Sequence, residues 1–451
     1  MKDLTIGNES CVIFRFTLPI LCGNLLQQLY ATIDSIIVGN CLGKNALAVV
    51  SACFNIIFIL LLIEIGLTLG TNILIARYYG AKNMLKVKQA VDTAYIFLFA
   101  TALVITILGI LFSKYILIFF KVPFAILPEA DIFFKIMLSG TISSFGYNTV
   151  SSIFRGIGDS KTPLFFLMLS TILNIILDFI FIIWFKIGIN GAALATVISQ
   201  TFSFAASFIY LNKHCPELKF RIKNICFNKE IFKLSFQIGF PAALQKIFLS
   251  GGFAVTQILI NGFGSTAMAA FAAASRLDAF AQMPAANLGD ALSVFTAQNL
   301  GAKKSQRVRK GYISTFAIGA IICAVISTIV ITYAKPLMQL FVQDVSVVKI
   351  GVSYLTIVGL FYIAYCAMNV TNGVLLGMGN SFIPMLSTIV SLWCIQIPIA
   401  VFLTYKIGIS GIWLGIPAGW ISGFCIRFFF YMRVTFTRSY SPVKRSRTTK
   451  N

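Results

Sequence analysis

The sequence predicts an all-α integral membrane protein of about twelve transmembrane helices, arranged as two homologous six-helix bundles. Three observations carry that prediction: charge-free apolar runs of bilayer length, a one-sided distribution of basic residues, and an internal repeat held at a nearly constant offset. Of 451 residues, 58% are hydrophobic and only 11% are charged, with mean hydropathy +0.89. Soluble domains average roughly 25% charged residues.

The apolar residues come in runs such as Ala46 to Ile63, Ile96 to Phe112, Leu164 to Phe185 and Tyr312 to Ala334. Runs of about 20 apolar residues match the hydrocarbon thickness of a bilayer, whereas core helices of soluble proteins are shorter. Twelve spans follow, near 13–38, 46–76, 90–112, 131–154, 164–184, 191–212, 231–262, 267–297, 312–333, 350–375, 384–404 and 411–435. The first run begins after Cys11 and reads as a retained span, because a cleavable signal has a shorter apolar core and a small-residue cleavage site.

The net charge of +22 could be taken for a nucleic-acid footprint, but its placement excludes that reading. Alternate connections, together with both termini, carry 26 of the 36 Lys and Arg residues; the opposite connections carry seven. Arg427 is counted with the basic C-terminal end. By the positive-inside rule both termini are expected in the cytoplasm of a multi-pass inner (plasma) membrane protein. The partners expected are the lipid bilayer and small molecules, with no nucleic acid.

The repeat is read from landmarks. Gly80-Ala81-Lys82 returns as Gly301-Ala302-Lys303, Asn40 and Gly43 as Asn261 and Gly264, and Gly156, Gly158 and Pro163 as Gly377, Gly379 and Pro384, all at an offset of 221. Lys186-Ile-Gly-Ile-Asn-Gly191 returns as Lys406-Ile-Gly-Ile-Ser-Gly411 at 220. The expected organisation is a first lobe over 1–212, a basic linker over 213–230, a second lobe over 231–435 and a basic tail over 436–451. Six spans per half is an even number, so the halves are parallel repeats, a layout in which two bundles face a central cavity and rock around it.

Enzyme chemistry is poorly supplied. The single histidine, His214, lies in a loop, and the ten cysteines are scattered, so neither metal ligation nor a disulfide framework is expected. Gly156-Ile-Gly-Asp159 has the form of an intramembrane protease motif, yet it precedes Ser160-Lys-Thr-Pro163 in a loop and reads as an interhelical turn. Gly158-Asp-Ser-Lys-Thr162 lacks the glycine before the lysine that a phosphate loop needs. No cofactor is expected.

Carboxylates at bilayer depth are functional candidates by default. Those within or bordering the spans are Asp34, Glu64, Asp92, Asp131, Asp178, Asp278 and Asp290. Asp92 and Asp131 sit at span ends and are expected to be solvated; Glu64 is mid-span with no evident partner. Asp34 and Asp178 fall at similar depth in the outer part of the first lobe. Asn174 is one turn before Asp178 on the same helix face, and Thr196 enters at that level from the sixth span. Four oxygen-bearing side chains could therefore hold a proton or ligate sodium, or could form a hydrogen-bond network that only fixes helix packing. Gln27, Tyr30, Tyr147 and Asn148 are weaker candidates for a cavity lining. In the second lobe, Lys246, Arg276 and Asp278 lie inside spans, and an ion pair between Asp278 and one of the two bases would make their burial tolerable.

Over residues 12 to 435 the chain resembles the multidrug and toxic compound extrusion (MATE) family. The resemblance rests on the two six-span halves, on Arg155-Gly-x-Gly-Asp159-Ser-Lys-Thr-Pro163 followed by Asn174-x3-Asp178, and on Gln298-Asn-Leu-Gly-Ala302. It implies a monomeric secondary antiporter that exports cationic amphipathic organic compounds in exchange for H+ or Na+ by alternating access. Asp34, Asn174, Asp178 and Thr196 match the cation-coupling residues of its DinF-like branch, so no metal is implied beyond Na+ at that site. The NorM-type branch couples through acidic residues in the seventh and tenth spans, near which this chain has Ser250 and Tyr365. A lipid-linked oligosaccharide flippase shares the two-lobe layout but favours a basic cavity.

The charge bias yields a direct expectation. With other cysteines removed, Cys215 and Cys226 in the linker should resist a membrane-impermeant thiol reagent in intact cells and react once the membrane is opened. Labelling in intact cells would reverse the orientation.

Overall fold

The computed structural model describes residues 3–221 and 224–436, with the side chains of 31, 32, 34–36, 38, 40, 44, 45, 47 and 434–436 left aside. The tail over 437–451 lies outside the described residues. The first lobe comprises α1 (Glu9–Gly80), α2 (Met84–Leu111), α3 (Ser113–Phe119), α4 (Leu127–Ser139), α5 (Thr141–Gly156), α6 (Lys161–Asp178) and α7 (Ile189–His214). The second comprises α8 (Lys229–Asn261), α9 (Ser265–Gly301), α10 (Ser305–Thr332), α11 (Ala334–Gln339), α12 (Val345–Gly359), α13 (Tyr362–Gly377), α14 (Phe382–Thr388), α15 (Ile397–Ile407) and α16 (Ser410–Phe436).

Among the described residues nine helical stretches are long and apolar enough to cross a bilayer, two of them the arms of α1, Glu9–Tyr30 and Ala48–Gly80. The pair α12 and α13, bent by 52°, makes a tenth. The 37-residue α9, rich in small and polar residues, and the α4–α5 pair broken at Gly140 occupy the two remaining places.

The duplication is visible in the backbone. Gly43 breaks α1 at φ 79°, and Gly264 separates α8 from α9 at φ 87°. This left-handed region excludes most residues with a Cβ. Lys82 and Lys303 share φ near 55° and 60°, and Gly158 and Gly379 share 87° and 83°. In both lobes the helix of the fifth span widens into π-helical turns, over Phe179–Trp184 and Ile389–Gln396.

The lobes meet at one end. From Leu62 to Gly80 no residue of α1 is exposed, whereas Ser51, Phe54, Asn55, Phe58, Ile59 and Leu61 are. The equivalent α9 has the same gradient: Met268, Ala272, Arg276 and Phe280 are exposed, but from Ala281 to Leu300 only Asp290 is. The cleft therefore opens toward the end that carries Gly43 and Gly264. At the other end a Cβ on Gly80 would stand 1.9 Å from the Gln298 carbonyl, and one on Gly301 1.9 Å from the Arg77 carbonyl.

The Gln298-Asn299 motif ties this closed end. Gln298 donates to the Gly156 carbonyl at 2.8 Å and accepts from the Leu4 amide at 3.2 Å. Asn299 donates to the Leu4 carbonyl at 3.2 Å, and Arg307 donates to the Gly7 carbonyl at 2.8 Å while pairing with Glu9 at 3.3 Å. The Gly156–Asp159 segment is an interhelical turn: the Asp159 carboxylate accepts from the Lys161 and Thr162 amides at 3.0 and 3.1 Å and so caps α6.

Several expectations are corrected here. Cys215 is buried beneath the linker, and that burial pushes its thiol up to about 11, so only the exposed Cys226 reports accessibility at neutral pH. Asp92 is buried, not solvated, and pairs with Lys88 one turn earlier. Asp131 pairs with Lys135 at 2.7 Å. Arg427 does not belong to the basic rim: it is buried within α16 and donates to the Thr388 hydroxyl at 2.8 Å.

The contact of Gly80 with Gly301's helix yields a stability test. Gly80→Ala and Gly301→Ala should each destabilise the protein in detergent by about 1–3 kcal/mol through overpacking. Gly39→Ala, whose Cβ meets nothing within 4 Å, serves as the control. Unchanged thermal midpoints for both variants would show that the lobes do not close there.

Candidate functional site

A cavity of about 610 Å³, including its solvent-open part, lies within the first lobe. Gln27, Tyr30, Tyr147, Asn148, Asn174 and Thr196 all line it, so six of the eight first-lobe candidates share one space. Leu61, Ser144, Leu167, Ser170, Thr171, Ser199, Gln200 and Ser203 complete the wall. This serine and threonine lining carries no distinct signal in sequence, because such residues are common in membrane helices as interhelical glue.

Polar side chains connect three spans across the cavity. Tyr30 and Thr196 share a hydroxyl–hydroxyl hydrogen bond of 3.2 Å, and Thr196 donates onward to the Ala192 carbonyl at 3.1 Å. The Asn174 amide is satisfied with its nitrogen toward Asp178, 2.9 Å from Oδ2, and its oxygen accepting from the Thr196 backbone at 3.1 Å. Asp178 is fully buried and Asn174 is 1% exposed. Asp178 also ends the regular part of α6, directly before the π-helical turns. Such turns interrupt the regular backbone pattern and recur at functional sites. Asp34 lies in α1 one turn past Tyr30; its side chain is outside the described residues. Tyr147 is held by the Pro163 carbonyl at 2.8 Å.

Glu64 has partners, contrary to the expectation from sequence. It is 2% exposed on the second arm of α1 and accepts from Asn148 Nδ2 at 2.6 Å and from the Ser144 hydroxyl at 3.1 Å. Both donors lie on α5, 80 and more residues away in sequence, a distance that no local pattern bridges.

The second-lobe ion pair is a correction. Among the described residues, the ion pairs are Lys88–Asp92, Lys135–Asp131 and Arg307–Glu9. Asp278 accepts instead from the Tyr354 hydroxyl at 2.8 Å and from Gln282 at 2.6 Å. Arg276 is exposed, and Lys246 is half-buried within electrostatic reach of Asp290. Neutral donors, one from α12 and one from its own helix, hold the carboxylate where a charge had been expected.

Positions of the second lobe that correspond to the four-residue set carry little polarity. Val255, or Thr256 if the one-residue slip between Pro19 and Pro241 lies later in the span, stands for Asp34, and Thr256 donates to its own helix at the Gly252 carbonyl, 2.9 Å away. Ile395 or Cys394 stands for Asn174, and Ile399 or Pro398 for Asp178. Among the described residues no group of three or more His, Cys, Asp or Glu side chains is arranged to hold a metal ion.

Comparisons with known proteins agree with this architecture. The family described as MatE matches the chain twice, over residues 19–180 and 241–402. The probable multidrug resistance protein YpnP of Bacillus subtilis (strain 168) is 30% identical over 429 residues, covering 95% of this chain and 96% of that protein. The probable multidrug resistance protein YoeA of the same organism is 29% identical over 428 residues, covering 93% and 92%. Among solved structures, one described as a MATE in the bent conformation superposes with a TM-score of 0.90 at 23% identity, over 96% of this chain and 97% of that one. An outward-facing multidrug resistance MATE family transporter of the MOP superfamily gives 0.90 at 22% identity, over 96% and 98%.

The Asp278 geometry is testable. Tyr354→Phe should cost about 1.5–3 kcal/mol, the range for a hydrogen bond to a charged group, measured by thermal unfolding in detergent. Lys246→Met and Asp278→Asn should be additive to within about 0.5 kcal/mol. A larger coupling would restore the ion pair.

Proposed function

The chain belongs to the MatE family, whose members are transporters, and on that premise we propose that it is a secondary antiporter exporting cationic amphipathic organic compounds in exchange for H+ or Na+. The observation that carries the reading is the oxygen-rich set formed by Tyr30, Thr196 and Asn174 on the wall of the first-lobe cavity, with the buried Asp178 bound to Asn174. Asp34, one turn from Tyr30, completes the coupling set as the second carboxylate. A desolvated carboxylate backed by an amide and hydroxyls gains by taking up a cation, either a proton on Oδ or a sodium ion among the oxygens.

Organic cations occupy the same cavity in this reading. Its mixed wall supplies apolar surface from Leu61 and Leu167, rings from Tyr30 and Tyr147, and amide and hydroxyl oxygens. Loading the coupling cation neutralises the site and weakens its hold on a positively charged compound, so the two cations compete for one region. The printed names of the Bacillus relatives, which are multidrug resistance proteins, support this substrate class. The proposal places both termini in the cytoplasm of the inner membrane, the monomer as the working unit, and the cleft opening outward.

Efflux of a fluorescent organic cation from proteoliposomes under an imposed proton or sodium gradient is the test. Asp34→Asn and Asp178→Asn should each reduce gradient-driven efflux to the level of protein-free liposomes at matched reconstitution. Thr256→Val in the second lobe should leave coupling intact. Full coupled transport by both Asp→Asn variants would remove the proposed site.

A further inference from the structure

Glu64 is the buried carboxylate that the coupling set does not use. We infer that Glu64 is a second proton-binding site of the first lobe, loaded from the cavity through the Ser144 hydroxyl and linked to cargo through Asn148. The inference rests on the reading of the first-lobe cavity as the transport site.

The first support is connectivity. Ser144 and Asn148 both line the cavity, while the carboxylate they bind stands behind them. Among the described residues, the side-chain hydroxyl on Glu64 is that of Ser144, which also lines the cavity. A proton can pass in one balanced step. A hydronium ion in the cavity gives a proton to Ser144 Oγ as the Ser144 hydroxyl proton moves to Glu64, leaving a water in the cavity, Ser144 unchanged and Glu64 neutral.

The second support is that this shell serves both protonation states. With Glu64 ionised, Asn148 and Ser144 both donate to it. With Glu64 protonated, Asn148 still donates to the carbonyl oxygen at 2.6 Å, and the carboxyl O–H donates to Ser144 Oγ, because a hydroxyl accepts as readily as it donates. No polar atom is orphaned in either state.

The third support comes from the duplication, which provides an internal control. At the offset of 221, Glu64 corresponds to Ala285 and Asn148 to Asn369. Asn369, with no carboxylate opposite, turns its Nδ2 to the Tyr365 carbonyl of its own helix, four residues back, at 2.9 Å. Asn148 instead directs its Nδ2 to Glu64, which leaves its amide oxygen for the cavity. Glu64 thus holds Asn148 with its amide oxygen toward the cavity, where a compound meets it.

The elements around this stretch carry other titratable groups: Tyr147 and Arg155 on α5, Tyr95 on α2, Lys246 on α8, Asp290 on α9 and Asp178 on α6. None of the ion pairs among the described residues involves Glu64. Neutral donors hold it, so protonation strands no partner charge.

Proton release on cargo binding tests the inference. Purified full-length protein in weakly buffered detergent is titrated with ethidium, and released protons are counted with a pH indicator dye alongside ethidium bound. The native protein should release more protons per ethidium than Glu64→Gln, which should still bind ethidium but release one fewer. Ser144→Ala should reach the native count more slowly, and Asp178→Asn should keep the Glu64 contribution. If Glu64→Gln released the native number of protons, or only lowered the thermal midpoint with the count unchanged, Glu64 would be a packing residue. Native protein that bound no ethidium would overturn the cavity reading itself and this inference with it.

Discussion

A carboxylate withdrawn from water must find donors or hold a cation, because an unpartnered charge at bilayer depth is costly. Much of this protein's interior chemistry follows from that constraint. The ion pairs among the described residues lie at helix ends and toward the surface, at Lys88–Asp92, Lys135–Asp131 and Arg307–Glu9. Deeper carboxylates are held by neutral groups: Asp178 by an amide, Glu64 by an amide and a hydroxyl, Asp278 by a phenol and an amide. A carboxylate locked to a lysine cannot change charge without stranding its partner. One held by amides and hydroxyls can.

The duplicated scaffold separates what both lobes must do from what one lobe does. Both keep the glycine breaks at Gly43 and Gly264 and the tight meeting of Gly80 with Gly301, since these set helix directions and the distance between the lobes at the closed end. The cavity chemistry has diverged. Where the first lobe has Glu64, Ser144 and Asn174, the second has Ala285, Tyr365 and Ile395 or Cys394. The second lobe also packs rings together, with Phe271 stacked on Trp413 at 5.9 Å and Tyr354 meeting Trp413 edge-on at 4.9 Å. Rings interlocked in this way resist deformation. The first lobe interlocks rings too, Tyr95 meeting Phe208 edge-on at 5.8 Å, and the alternating access proposed above moves the two lobes as bodies.

The closed end shows what such a movement has to undo. Gln298 bridges the Gly156 carbonyl and the Leu4 amide, and Asn299 and Arg307 hold the segment before α1. Gln298 and Asn299 make these hydrogen bonds while fully buried, and each such bond is worth about 0.5–1.5 kcal/mol net against solvent.

The sequence by itself determined the twelve-span, two-lobe plan, because span length, charge placement and a repeat at 221 are properties of the chain in order and require no knowledge of contacts. It also singled out Asn174, Asp178 and Thr196, since a carboxylate and an amide one turn apart share a helix face whatever surrounds them. Tertiary structure alone decided which partners the interior charges take. Glu64 looked unpartnered because Ser144 and Asn148 are 80 and 84 positions away, and Asp278 looked like half of an ion pair although Tyr354, 76 positions away, reaches it first. Burial was likewise undecidable for Cys215, in the linker, and for Asp92 and Arg427, each toward the end of a span. The physical reason is common to all of them: periodicity places a side chain on a face of its own helix, but only the packing of helices distant in sequence determines what that face meets.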